Sequence, residues 1–215
     1  LWLATLAKDH PFPFLDHAIR FGDSLVGLNG EQIACFTWEA PKKQQQLGLI
    51  RAMLNRKLKA ALSYRREILE AGDFVLPALK AQKLVLADEA LDEIRSVGDL
   101  VIAAFFGAEK DKARRALRDN FLQRYVTTAT DVPGRIELIK IIAALRGGQF
   151  PITPFHWEIE YPEVFDRENP GFDGIVGNPP FAGKNTLIKG NRQGYLDLVR
   201  TLHADSHGAA DLVAH

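Results

Sequence analysis

One stretch constrains this chain more than any other: Gly171-Phe172-Asp173-Gly174-Ile175-Val176-Gly177-Asn178-Pro179-Pro180-Phe181. Phe172, Ile175 and Val176 make the apolar run of a buried central strand in a parallel sheet, and Gly177 allows close backbone approach at its end. The two prolines fix φ and remove two amide donors, so the Asn178 side chain is expected in a stiff polar turn. Ligands of open α/β sheets sit beyond the carboxyl ends of the strands. A carboxamide there, followed by an aromatic residue, suits a planar ligand bearing an amino group. The oxygen and neighbouring carbonyls accept from the amine while the ring stacks on its face.

These residues resemble motif IV, Asn-Pro-Pro-Phe, of the amino-methylating DNA methyltransferases that make N6-methyladenine. The run from Phe155-His156-Trp157 through Glu163-Val164-Phe165, then Phe172-Asp173 and Asn178 to Phe181, is similar to the large methyltransferases of type IIG restriction-modification and related phage-defence systems. Phe14-Leu15-Asp16-His17 leading to Gly22-Asp23-Ser24-Leu25-Val26-Gly27 resembles the motif III region of the same group. The resemblance lies at both ends, and the stretch between carries no motif of the family. It implies an α/β fold, a partial Rossmann-like class I methyltransferase sheet with a large α-helical insertion. Residues 1–40 would hold the motif III region, 41–148 the insertion, and 149–215 the motif IV region with the loop and helix after it.

The periodicity between those ends is helical. Leu47, Ile50, Leu54, Leu58, Ala61 and Leu62 recur at helical spacing, with Arg51, Arg56, Lys57, Arg65 and Arg66 between them. A basic run of this kind reads as a solvated face, with contact to DNA phosphate as the alternative. Further helices are expected from Pro77 to Phe106, Lys110 to Thr127, and Pro133 to Arg146, the last stopped by Gly147-Gly148. Ile19 to Phe21 reads as a short strand with Gly22-Asp23 at its tip. Phe155 to Tyr161 reads as another, with His156, Glu158 and Glu160 on one side and Phe155, Trp157 and Ile159 on the other. Leu1 to Ala7 reads as the end of a helix, and Asp211 to His215 as the opening of another, which marks the chain as an internal piece of a longer protein.

Composition excludes little. Apolar residues make up 47% and charged residues 25% of the 215, and the net charge is zero, so any nucleic-acid surface must be local. Cys35 is the single cysteine, which excludes an internal disulfide and fits a cytoplasmic location. No apolar run is long enough for a membrane span. Glu158, Glu160, Glu163 and Asp166 lack a lysine at nuclease-like spacing and read as solvated edge residues, and His156 as structural. Gly183-Lys184 fails as a P-loop, because Asn185 follows the lysine where Ser or Thr is required. His203 and His207 are four apart, but Gly208 follows and no glutamate stands beside the first, so a zinc site is not expected.

The resemblance supplies the chemistry. It implies S-adenosyl-L-methionine as methyl donor, double-stranded DNA with a flipped adenine as partner, and no metal in the transfer. Asn178, Pro179, Pro180 and Phe181 would form the catalytic tetrapeptide, and Asp23 would face the adenine of the cofactor. Lys184, Lys189 and Arg192, in a basic loop beside the pocket, would hold phosphates flanking the flipped nucleotide. The glycine-rich motif I and the ribose-binding acid of the family have no counterpart here and are expected upstream of Leu1. Two other readings share the residues: methylation of RNA bases or of protein glutamine by the same fold, and a non-catalytic interaction module.

Overall fold

The computed structural model describes residues 14–41, 48–72, 75–127, 131–178 and 189–203. A 3-10 turn, Asp16–Ala18, precedes α1 (Gly30–Ala34), α2 (Gly48–Glu70), α3 (Pro77–Phe106), α4 (Asp111–Thr127) and α5 (Val132–Arg146). Two one-turn helices follow, α6 (Trp157–Glu160) and α7 (Pro162–Phe165), and then α8 (Tyr195–Leu202). The four long helices fall where the periodicity placed them. Their boundaries have local causes. Pro77 and Pro133 stand in the first turns of α3 and α5, where the missing amide would be unpaired anyway. Gly147 ends α5, followed by Gly148 at φ +84°. At α1 the Asn29 side chain accepts from the Gln32 N–H while the Gln32 side chain accepts from the Asn29 N–H, a reciprocal cap.

α3 is the axis of the molecule. Every residue from Val97 to Phe105 is buried, and all but Asp99 are apolar or Gly, so this half of the helix must be enclosed on every side. It packs on α1, α2, α4, α5 and α6. The core joins Ile50, Leu54 and Ala61 of α2, Phe121 of α4, Leu138 and Leu145 of α5, and Leu198 and Val199 of α8 to it. Val26, Leu28, Ile33, Phe36 and Trp38 from the first segment enter the same cluster.

The expected Rossmann-like sheet is overturned. Among the described residues there is no strand, only one isolated parallel bridge between Asp23 and Pro154. Ile19 to Phe21 therefore forms no strand, although Gly22-Asp23 does stand beside the bridge. Phe155 to Tyr161 turns into α6 instead of extending. A strand would set Glu158 and Glu160 on one side, but each acid of this region reaches a different element. Glu158 accepts from the Gly30 N–H at 2.7 Å, Glu160 pairs with Arg95 of α3 at 2.7 Å, and Glu163 pairs with Arg65 of α2 at 2.5 Å. Glu158, Glu160 and Glu163 are therefore pins that fasten α6 and α7 to the bundle, whereas Asp166, paired with Arg66 in solvent, is the exposed residue expected. Nor are Phe172, Ile175 and Val176 a buried central strand: all three are exposed, Val176 completely. No neighbouring strand covers them among the described residues. The terminal helices expected at Leu1 to Ala7 and from Asp211 lie outside those residues.

Candidate functional site

The segment 22–29 is held by backbone pairing with residues 153–156. The Asp23 N–H donates to the Thr153 carbonyl and the Phe155 N–H to the Val26 carbonyl, each at 2.8 Å. Two glycines make this approach possible. A Cβ on Gly27 would lie 1.9 Å from the Phe155 carbonyl oxygen, and one on Gly22 would lie 2.7 Å from the Phe155 ring. The Leu28 N–H then donates to His156 Nδ1 at 3.0 Å. That bond leaves the proton of a neutral imidazole on Nε2, which faces Asp99 Oδ1 at 3.4 Å. Asp99 is fully buried and its other oxygen binds Arg146 at 2.6 Å. His156 thus ties the first segment to α3, the structural role expected of it.

At the tip of this segment Asp23 Oδ1 accepts from the Leu25 N–H and from the Tyr195 hydroxyl, both at 3.1 Å. Burial and the neighbouring Asp23 carboxylate push the Tyr195 phenol far above its ordinary value, so it stays a donor. α8 closes over the loop, and His203 Nε2 lies 3.1 Å from the Leu25 carbonyl. Tyr195 carried no signal in the sequence, being a lone aromatic after Gly194.

Asn178 lies beyond an aromatic cluster built around Phe172. Phe172 meets Trp157 at 5.6 Å, Tyr161 at 5.4 Å and Phe165 at 6.1 Å, each edge to face. Trp157 Nε1 donates to the Ser24 carbonyl at 3.0 Å, so the cluster rests on the loop that carries Asp23. Arg167 braces the turn before the run, donating to the Val164 and Gly171 carbonyls and to Asp173. Beyond Phe172 the chain is exposed through Asn178. Pro179, Pro180, Phe181 and Lys184 lie outside the described residues. A family model described as the Eco57I restriction-modification methylase matches residues 105–212, half of the chain, and includes the whole tetrapeptide. The chain belongs to the Eco57I restriction-modification methylase family. No curated protein and no solved structure matches it.

Within the segment matched by the Eco57I methylase model, Arg114 and Arg192 do structural work. Arg114 of α4 is buried, stacks on Phe105 at 3.9 Å and donates to the Ala108 carbonyl at the end of α3. Arg192, expected beside phosphate, donates through Nε and Nη2 to the Phe150, Ala144 and Gly147 carbonyls, each at 3.1 Å. It thereby closes the carbonyl end of α5, and burial lowers its pKa. Lys189 is exposed. Membership makes the chain a methyltransferase of the restriction-modification kind. No helix among the described residues is long and apolar enough to cross a membrane.

Proposed function

We propose that the chain carries the acceptor-amine site of a cytoplasmic enzyme that methylates adenine N6 in a specific sequence of double-stranded DNA, within a restriction-modification or phage-defence system. The observation that carries this reading is the match to a restriction-modification methylase over the residues that include Asn178-Pro179-Pro180-Phe181. S-adenosyl-L-methionine supplies an electrophilic methyl group on a sulfonium when bound. Asp23 suits one contact to it: a carboxylate offers about four acceptor positions, and Leu25 and Tyr195 use two at Oδ1.

Adenine N6 is a weak nucleophile because its lone pair is delocalised into the ring. Hydrogen bonds from N6 to the Asn178 side-chain oxygen and the Pro179 carbonyl favour a more tetrahedral nitrogen and aim it, which is catalysis by positioning and electrostatics. Pro180 stiffens that frame. Phe181 stacks on the flipped base, worth about 1–3 kcal/mol, against an extrusion cost of a few kcal/mol. Lys184 and Lys189 hold the flanking phosphates. Arg192, with its donors turned to carbonyls, adds charge to that loop rather than a direct contact.

The test is methyl transfer by the intact protein to DNA, RNA and protein, read as N6-methyladenine by mass spectrometry. Asn178→Ala is expected to lower the rate on DNA by on the order of a hundredfold or more while cofactor affinity is largely kept. Near-normal methylation by the variant removes Asn178 from the site. Methylation confined to RNA or protein overturns the acceptor.

A further inference from the structure

α5 has two apolar faces. Leu138 and Leu145 are buried in the core, whereas Val132, Ile136 and Ile139 are 68%, 48% and 59% exposed, and Ala143 is exposed in line with them. Successive steps of four, three and four residues are the a/d spacing of a coiled-coil seam, so these four side chains form one outward stripe. The stripe continues into a groove of about 510 Å³ between α2, α3, α4 and α5. Ile139 stands on its edge, Met53 and Leu100 line it, and Leu49 and Val126 add exposed apolar surface around it. A contiguous apolar surface rimmed by charge marks an interaction site more often than chance exposure does.

We propose that this face docks an amphipathic helix of a partner protein, one whose apolar seam is flanked by Asp or Glu. The charge beside the seam selects that occupant. Arg135 and Lys140, both exposed, occupy the two positions that flank a/d residues. Glu137, the nearest acid on the helix, is taken by Arg124. Across the groove, Glu93 of α3 is engaged by Lys57 at 3.2 Å and by the Tyr125 hydroxyl, and Asp92 by Arg95 at 2.9 Å, while exposed Glu89 and exposed Arg56, of opposite charge, complete its charged lining. A second copy of this chain fits poorly. A parallel pair sets Arg135 against Lys140 of the other copy, and an antiparallel pair sets like against like. Acidic flanks on a partner meet both cations and avoid this repulsion. The inference does not depend on the methylation reading.

The test uses the whole chain and two labelled synthetic helices of roughly three heptads, with Leu at a and d and either Glu or Lys at e and g. Fluorescence anisotropy is expected to show binding of the Glu-flanked helix in the micromolar range, weakening with salt, and at least about tenfold weaker binding of the Lys-flanked one. Ile139→Lys is expected to cost about tenfold or more, while Leu69→Lys on exposed α2 surface costs nothing. Circular dichroism is expected to show that both variants keep their helices. The double reversal Arg135→Glu with Lys140→Glu is expected to switch preference to the Lys-flanked helix. Equal binding of the two helices, indifference to Ile139→Lys, no switch on reversal, or sedimentation of the chain as a dimer abolished by Ile139→Lys would each overturn the proposal.

Discussion

Gly27 and His17 show how single side chains set the limits of this structure. At Gly27 the obstacle to a side chain is backbone, the Phe155 carbonyl 1.9 Å from any added Cβ, so no rotamer relieves it. Gly27→Ala is expected to destabilise the fold by at least the ~1–3 kcal/mol of ordinary overpacking, measured as a shift in urea midpoint. An unchanged midpoint would show that the segment yields. His17 stacks on Phe14 and is partly buried beside Arg65. Burial first and Arg65 second lower its pKa from the ordinary 6.5, outweighing the nearby Glu163. The unfolded chain therefore takes up this proton more readily than the folded one. The contribution is present above about pH 6.5 and is lost as the pH falls below it. Stability is expected to decline between pH 7.5 and 5.5, and His17→Gln to flatten that decline, read from urea melts at the two values.

The short helices α6 and α7 have too few residues to stand alone and are held by ion pairs to longer elements. The strongest case is Arg65, fully buried in α2, which donates to both oxygens of Glu163 at 2.5 Å and to the His17 carbonyl at 2.9 Å. Removing one member of a buried pair leaves the other charge desolvated, at a cost of about 3–5 kcal/mol. Glu163→Ala is expected to cost in that range, and Arg65→Met with Glu163→Leu to recover most of it. A double variant no better than the single would mean that the pair also supplies specificity of docking. Periodicity read the long helices correctly because their apolar stripes are local in sequence. It misread Phe155 to Tyr161, where alternation of acids and aromatics mimics a strand. The partners that bend it, Gly30 and Arg95, lie far away in sequence.

Across the whole molecule, one core on α3 gathers the first segment, the helices and α8, while the run from Phe172 to Asn178 stands outside it. Ile175 and Val176 are 78% and 103% exposed, a β-branched apolar pair open to association with other chains. Ile175→Lys with Val176→Lys is expected to raise the concentration at which the chain stays monomeric, judged by light scattering, without moving its thermal midpoint. A lowered midpoint would show that the pair is packed in solution.

The sequence by itself determined the long helices with their glycine and proline boundaries, because each is written in residues close together along the chain, and it carried the methylase family in short motifs. Tertiary structure alone decided the rest. It turned Glu160 and Glu163 into pins on α3 and α2, closed Arg192 over the end of α5, and brought Tyr195 to Asp23 across 172 residues. Ile175-Val176 has the composition of a buried strand, yet a strand exists only where another backbone supplies hydrogen bonds, and among the described residues none does.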